Sequence, residues 1–193
     1  MEKKFELTAE CKVFCGIKLF RIKALRAIAR FGVEVGDLGG WVEKEKNVAD
    51  DGDAWVFGNA EVCGNAEVFG DAKVFGDAKV FGNAEVCGNA KVCGNAEVCG
   101  DAKVFGDAEV CGDAWVFGDA GCLWFKNTWS SGRWFTYTRS NKKWKVGCFY
   151  GTGEELIAKA YKDSELSGKC YEATVRYVEA VEAAKGGRNE RHT

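Results

Sequence analysis

The sequence predicts a mainly β fold: a parallel β-helix of about four coils, an N-terminal β-hairpin cap, and a C-terminal unit of a small β-sheet and a helical hairpin. Three observations predict the β-helix. A six-residue unit, [DN]-A-x-V-[FC]-G, occurs eleven times without a break over residues 53–118. Its Ala-x-Val segment alternates apolar and variable residues, which indicates a short strand with alanine and valine facing inward. Glycine followed by aspartate or asparagine indicates a corner every six residues.

This repeat resembles that of the hexapeptide-repeat family, and the resemblance covers residues 53 to about 124. It implies a left-handed β-helix with three faces per coil, in which residues eighteen apart stack. The variable positions then form three ladders: Trp55–Lys73–Lys91–Glu109, Glu61–Lys79–Glu97–Trp115 and Glu67–Glu85–Lys103–Gly121. Two ladders contain one like-charge neighbour, and we interpret the charges as a solvated surface.

Five of the ten cysteines occupy the repeat position that phenylalanine fills elsewhere: Cys63, Cys87, Cys93, Cys99 and Cys111. A position that accepts either residue requires apolar bulk rather than a thiol, so we expect reduced, apolar cysteines. No CxxC motif occurs, and we expect neither a metal site nor a cofactor.

The phenylalanine and cysteine position lies near the corners of the predicted coils, where side chains are half exposed. Phe57 above Phe75 is one such apolar ladder. Exposed apolar ladders usually mark an interface. Members of the hexapeptide-repeat family commonly form trimers, so we expect a homo-oligomer, with a trimer favoured.

The N-terminal segment, residues 1–52, contains CKVFCGIKLFRIKAL, which predicts a β-hairpin turning at Gly16. Trp41 and Val42 are expected to cap the open end of the rod, since a β-helix must cover its terminal edges. KFELT and GDLGGWVE resemble the start of uncharacterised hexapeptide-repeat proteins of phages, prophages and gut bacteria.

After the repeat, which we bound at residues 53–124, the segment 125–193 is basic and aromatic at first. Its turn-like SSGR and RSNKK stretches predict a small antiparallel sheet, and this region resembles the tails of the same phage-associated proteins. Thr152 and Glu155 form a capping-box pattern that opens a helix ending near Asp163. A second helix is expected over about 169–185, ending at Gly186–Gly187.

The two helices carry apolar faces, Leu156, Ile157 and Ala160 on the first and Val175, Val178 and Val181 on the second. We expect this hairpin to cover the end of the rod or a neighbouring subunit.

Charge is polarised along the chain. Residues 53–120 carry four lysines against seven aspartates and five glutamates, a net −8, whereas residues 121–193 carry thirteen basic and eight acidic groups, a net +5.

The resemblance first suggests an acetyl transferase, but those enzymes use a histidine as general base. The single histidine here is His192, next to the last residue, and no long loop interrupts the eleven units. Zinc carbonic anhydrases of this fold need several histidines. The acids lie on a convex rod, whereas glycosidases place two carboxylates across a cleft. We therefore expect no enzymatic activity.

Two classes of function remain. In the first, the basic aromatic C-terminal region binds an anionic planar ligand, a nucleotide or nucleic acid, because aromatic rings stack on bases and cations neutralise phosphates. Alternatively, each aromatic residue belongs to the core of the sheet. Arg133 and Arg139, which lie beside turns, are the favoured ligand-binding residues. The candidate binding residues are Trp129, Arg133, Trp134, Tyr137, Arg139, Lys142, Lys143 and Trp144.

In the second class the protein is a rigid oligomeric scaffold, or an acidic rod that inhibits a host protein. For the first class, the binding protein, the phage resemblance implies a counter-defence role, the sequestration of a nucleotide signal. The N-terminus lacks an apolar stretch after its lysines, and no segment approaches eighteen consecutive apolar residues. We therefore expect no membrane association and a cytoplasmic location, that of the host if a phage encodes the protein.

Overall fold

The computed structural model describes residues 3–118 and 121–189. It confirms the mainly β fold: a parallel β-solenoid of about four turns is followed by a β-sheet and, within the described residues, by two helices. Before the rod lie β1 (Phe5–Phe14), β2 (Ile17–Ala24) and β3 (Leu38–Val42), with 3-10 turns at Ala29–Phe31 and Glu45–Asn47.

The eleven repeat units form eleven short strands within residues 53–118. They are β4 (Trp55–Val56), β5 (Glu61–Val62), β6 (Glu67–Val68), β7 (Lys73–Val74), β8 (Lys79–Val80), β9 (Glu85–Val86), β10 (Lys91–Val92), β11 (Glu97–Cys99), β12 (Lys103–Val104), β13 (Glu109–Val110) and β14 (Trp115–Phe117). The repeat alanines and valines are at most 1% exposed and form the core. Each unit buries too little apolar surface to be stable alone, so the coils stabilise one another.

The predicted eighteen-residue stacking is confirmed. Strands pair in parallel in the orders β4–β7–β10–β13, β5–β8–β11–β14 and β6–β9–β12. Three pairs of oppositely charged ladder neighbours form ion pairs: Lys79–Glu97 at 3.2 Å, Lys91–Glu109 at 2.6 Å and Lys103–Glu85 at 3.1 Å. The ladders place charges of known sign at known heights along the rod.

The N-terminal hairpin also follows the prediction, with its turn at Cys15–Gly16, both at positive φ. Trp41 and Val42 in β3 pair in parallel with β5, so they cover the edge of the first coil as expected. The backbone comes close enough here to exclude a side chain. A Cβ on Gly40 would lie 2.5 Å from Val56 Cγ1, which explains the glycine.

Side chains from the flanks satisfy the backbone groups at both ends of the rod. In the coils before the last one, the N–H of each strand's first residue donates to a carbonyl oxygen of the next coil toward the C-terminus, as Trp55 N does to Ala72 O. The last coil has no coil above it. There the N–H of Glu109 donates to Thr136 Oγ1 (3.0 Å) and that of Trp115 to Ser140 Oγ (2.8 Å).

At the opposite end, cations bind the exposed carbonyl oxygens. Arg26 donates to the carbonyl oxygen of Gly52 at 2.8 Å, and buried Lys4 approaches that of Asp51 at 3.5 Å. These contacts replace the hydrogen bonds that a further coil would make.

The C-terminal sheet is antiparallel, as predicted. Its strands β15 (Cys122–Lys126), β16 (Trp134–Thr138), β17 (Lys143–Val146) and β18 (Phe149–Gly151) pair in chain order. Helix α1 (Gly153–Asp163) begins at the predicted capping box, in which Glu155 N donates to Thr152 Oγ1 at 3.3 Å.

Two predictions about the helices are wrong. Helix α2 (Glu165–Asn189) begins about four residues earlier than expected, where Ser164 Oγ accepts a hydrogen bond from the N–H of Ser167 at 3.1 Å, and it continues through Gly186–Gly187. The hairpin packs on the C-terminal sheet rather than on the end of the rod, since buried Leu156 and Val175 join the core of buried Phe135 and Trp144. The alternative that it covers a neighbouring subunit stays a prediction. Val181 is half-buried, and His192 lies outside the described residues.

The expectation that every cysteine is reduced is also wrong. Cys93 and Cys111 form a disulfide, with their Cα atoms 4.7 Å apart. Stacking explains the bond, because residues eighteen apart lie within disulfide distance. In the three ladders of the corner position, this pair alone places cysteine directly above cysteine.

Flanking segments cover several of the corner phenylalanines that we expected to form an interface. Phe14 packs against Phe81, Phe31 against Phe57 and Trp124 against Phe105, with ring centroids 6.3, 6.1 and 4.3 Å apart. The most exposed aromatic side chains at the top of the rod are Phe117 and Trp115. The homo-oligomer stays a prediction.

Candidate functional site

A groove of about 420 Å³ runs along one face of the rod. Its floor is the ladder that contains Lys73, Lys91 and Glu109, its N-terminal wall is the Ala29–Phe31 turn, and its C-terminal wall is the antiparallel sheet. The volume is within the range of small-molecule sites. Five cations line it, together with three acids: Arg30, Lys73, Lys91, Arg133 and Lys145, and Asp71, Asp107 and Glu109.

The floor is set by the repeat itself. Lys73, Lys91 and Glu109 occupy the variable position of units stacked directly above one another. Because the neighbouring alanine and valine face the core, these three side chains must project outward into the groove. Lys73 and Lys91 lie in adjacent coils, so the floor carries two neighbouring positive charges that repel each other.

The N-terminal wall brings Arg30 and Phe31 over this floor. Arg30 forms an ion pair with Asp71 and donates to Asn89 Oδ1 at 2.8 Å. The ammonium group of Lys73 lies 3.8 Å from the centroid of the Phe31 ring, a cation–π contact. A turn outside the repeat thus positions one arginine and one aromatic ring beside the lysine ladder.

The C-terminal wall contributes Arg133, Trp134 and Lys145. Residues alternate between the two faces of β16, so Trp134 projects toward the rod while its neighbour Phe135 enters the core under the helices. Lys126, opposite Trp134 in β15, lies 5.8 Å from the centroid of the indole ring. The exposed guanidinium of Arg133 and the half-buried indole of Trp134 are therefore neighbours at one end of the groove.

Ion pairs neutralise part of the groove. Glu109 accepts from Lys91 at 2.6 Å and faces Lys145 at 3.4 Å. Among the residues that the structure describes, Lys73 and Arg133 line the groove without an ion pair, and Asp107 is the acid without one. The lining therefore has a net positive charge and two cations that are available to an anion.

The lowered pKa of Lys73 also indicates a place for an anion. Burial lowers the pKa of its ammonium group below the ordinary value, and the charges of Lys91 and Arg30 lower it further. An anion bound here would relieve both repulsions. The site thus favours a negatively charged occupant.

The structure does not bring the eight predicted binding residues together. Arg133 and Trp134 line the groove, but Tyr137 and Trp144 are buried in the core between sheet and helices, so their rings are not accessible to a ligand. For those two residues the alternative interpretation, the core of the sheet, is correct. Alternation along the strands separates them from Trp134.

The other predicted residues lie elsewhere. Arg139 Nε pairs with Glu182 Oε1 at 2.7 Å and fastens the turn between β16 and β17 to α2. Lys142 lies in the same turn, and Lys143 begins β17. Trp129 is 73% exposed and lines a second, mostly apolar cavity of about 470 Å³ against α2. None of these four side chains lines the groove.

Sequence reasoning missed much of the site, namely Arg30, Phe31, Lys73, Lys91 and Lys145. One signal was present for two of them. The eighteen-residue ladder already places Lys73 next to Lys91, the one pair of neighbouring lysines in the three ladders of the variable position. The approach of Arg30 and Phe31 is a tertiary contact that no local pattern indicates.

Within the part of the chain that the structure describes, no group of three or more histidine, cysteine or acidic side chains is arranged to hold a metal ion. No helix among those residues combines the length and apolar character that crossing a membrane requires. Comparison with protein-family models gives no match, and no curated protein matches the chain.

Proposed function

We propose that this protein is a non-enzymatic binding protein whose groove holds a small anionic ligand with a planar group, a nucleotide or a short nucleic acid. The observation that carries the proposal is that Lys73 and Arg133 line one groove, with Trp134, without an ion pair among the described residues.

Each side chain has a defined part in this proposal. The guanidinium of Arg133 can bind a phosphate through two parallel hydrogen bonds. The ring of Trp134 offers a stacking surface, and base–aromatic stacking contributes about 1–3 kcal/mol per base. Burial, and then the charges of Lys91 and Arg30, lower the pKa of Lys73, and a phosphate beside it would offset that repulsion between cations.

The first experiment is native mass spectrometry of the purified protein beside its denatured mass. We expect an oligomer, a trimer being favoured, with a few hundred daltons of dissociable mass for each bound ligand. Protein that carries no extra mass and gains none with added nucleotides or short oligonucleotides would contradict the proposal.

Substitutions then locate the site. Lys73→Ala and Arg133→Ala should each weaken binding of the ligand, measured by calorimetry. The matched control is Lys103→Ala, which changes the same position of the repeat on another face of the rod, where Lys103 pairs with Glu85. Equal effects of Lys73→Ala and Lys103→Ala would show that the rod's overall charge, not this groove, determines binding.

The biological setting belongs to the same proposal. The resemblance of the two flanks to those of phage-associated proteins supports a counter-defence role in the host cytoplasm, in which the groove sequesters a nucleotide signal. Sequestration requires binding without turnover, so incubated nucleotide should be recovered chemically unchanged after the protein is denatured.

A scaffold or host-protein inhibitor is the second candidate. The observation that favours it is the pair of exposed aromatic residues at the top of the rod, Trp115 and Phe117, whose ring centroids are 6.0 Å apart. Pull-down of a host protein that is lost with charge reversals along the rod, but not with Arg133→Ala, would favour this candidate over the binding groove.

A further inference from the structure

Among the residues that the structure describes, a cation without an ion pair stands at each end of the groove. At the level of β7 lies Lys73, beside the ion pair of Arg30 and Asp71. Beyond the last coil, next to β16, lies Arg133. Between the two ends lie two lysines and two acids, Lys91, Lys145, Asp107 and Glu109. The net charge is therefore positive at both ends and zero between them.

The repeat fixes the distance between the two positive ends. Neighbouring strands in a sheet lie about 4.8 Å apart, so the two steps from β7 through β10 to β13 span roughly 10 Å. The sheet that holds Arg133 lies beyond β13, since Thr136 accepts the hydrogen bond that a further coil would accept. The backbones of Lys73 and Arg133 are therefore more than roughly 10 Å apart along the rod.

The middle of the groove offers no net attraction to a concentrated negative charge. Two acids there, Glu109 and Asp107, balance two lysines, Lys91 and Lys145. A ligand that placed all its anionic groups in the middle would gain no net attraction, whereas one that carries them at both ends would meet the two cations that have no ion pair among the described residues.

We propose that the groove selects ligands with two anionic groups roughly 10 Å apart, one bound at Lys73 and one at Arg133, with a planar group on Trp134. A short linear oligonucleotide with a 5′-phosphate has this chemistry, whereas a nucleoside triphosphate concentrates its charge at one end. This inference rests on the proposed function and specifies its ligand class.

The test compares three probes by isothermal titration calorimetry: adenosine monophosphate, adenosine triphosphate, and a 5′-phosphorylated adenosine trinucleotide. The last two carry nearly equal total charge and differ in how far apart it lies. The trinucleotide should bind about tenfold more tightly than the triphosphate, the effect of one added charge-assisted hydrogen bond.

Lys73→Ala should remove this preference, weakening the trinucleotide about tenfold while leaving the triphosphate, bound at Arg133 and Trp134, within about twofold. Arg133→Ala should weaken both, and Lys103→Ala neither. Lys73→Gln, which keeps a long polar side chain, provides a second variant if the alanine variant unfolds on a thermal scan.

The outcomes separate the two proposals. Equal affinity of the wild type for triphosphate and trinucleotide, or equal weakening of both by Lys73→Ala, would overturn the two-anion inference and leave the binding function standing. No measurable binding of any of the three probes would overturn the proposed function, and this inference with it.

Discussion

The carboxylate of Glu109 lies 2.6 Å from the ammonium group of Lys91, the residue directly below it in the stacked ladder. The same carboxylate faces Lys145 of the C-terminal sheet at 3.4 Å. Two lysines from two parts of the fold therefore share one negative charge in the middle of the groove. Glu109 competes with any anionic group that approaches these lysines.

We therefore predict that Glu109→Gln strengthens the binding of anionic ligands by about threefold to tenfold, since it frees two cations and removes a repulsive charge. Calorimetric titration with adenosine triphosphate in low salt measures the effect. The control is Glu97→Gln, because Glu97 forms the corresponding ladder ion pair, with Lys79 at 3.2 Å, on another face. Weaker binding by a stably folded Glu109→Gln variant would contradict this role.

We predict that the stability of the fold depends on pH because of Lys4, which lies at the end of the rod where backbone carbonyl oxygens are exposed. It is completely buried, and burial, aided by the charge of Arg26, lowers its pKa to about 8. Between pH 8 and the ordinary lysine value near 10.5, the unfolded chain binds a proton at this position that the folded protein does not. Stability from this group therefore rises with pH across that window, by up to about 1.4 kcal/mol per pH unit.

The measurement is urea unfolding of the wild type and of Lys4→Met at a series of pH values. The variant should gain less stability than the wild type between pH 8 and 10.5, and the difference should amount to at most about 3 kcal/mol. Lys3→Met, which changes the exposed neighbouring lysine that pairs with Glu45, is the control. Parallel pH profiles of the wild type and Lys4→Met would refute the prediction.

The rod could be predicted almost completely because its structure follows from a local pattern. The alternation of Ala54 and Val56 about a variable residue, repeated every six positions, determines which side chains face inward and which residues stack. The disulfide between Cys93 and Cys111 follows from the same arithmetic. Within a single unit, cysteine and phenylalanine are interchangeable apolar residues, and only their stacking eighteen residues apart brings two thiols together.

The site could be predicted only in part. Arg133 and Trp134 were among the predicted binding residues, but their neighbours in the groove come from the rod and from the N-terminal turn, which are distant in sequence. Tyr137 and Trp134 are both aromatic residues of the same basic segment, yet they lie on opposite faces of β16. The ring of Tyr137 is therefore buried in the core, whereas that of Trp134 lies beside the groove. Which face of the sheet meets the helices depends on tertiary packing.

The disulfide gives a redox prediction. It closes a loop of eighteen residues, and a loop of about this length stabilises the folded state by about 3 kcal/mol. Reductant should therefore lower the unfolding free energy of the wild type, and the Cys93→Ser, Cys111→Ser double variant should not respond. Cys87→Ser, in an adjacent corner ladder, should respond like the wild type. Thiol titration of the unfolded wild type should find eight free thiols, and ten would contradict the bond.

The junction between the rod and the C-terminal sheet depends on Thr136. Its side chain is buried, and its hydroxyl accepts the hydrogen bond of the Glu109 N–H at 3.0 Å. Thr136→Val keeps the shape and removes the acceptor, which leaves a backbone donor without a partner at a cost of about 1–3 kcal/mol. We expect a loss of this size in urea unfolding and faster hydrogen exchange at the Glu109 amide.

Thr136→Ser separates the hydrogen bond from the packing. It keeps the hydroxyl and removes one buried methyl group, so its expected loss is about 0.8 kcal/mol, with the protection of the Glu109 amide retained. If the valine variant were as stable as the wild type and kept that protection, the sheet would not be replacing the missing coil. The groove wall that carries Arg133 and Trp134 would then need another anchor, and Lys145, which faces Glu109 at 3.4 Å, would be the next residue to replace.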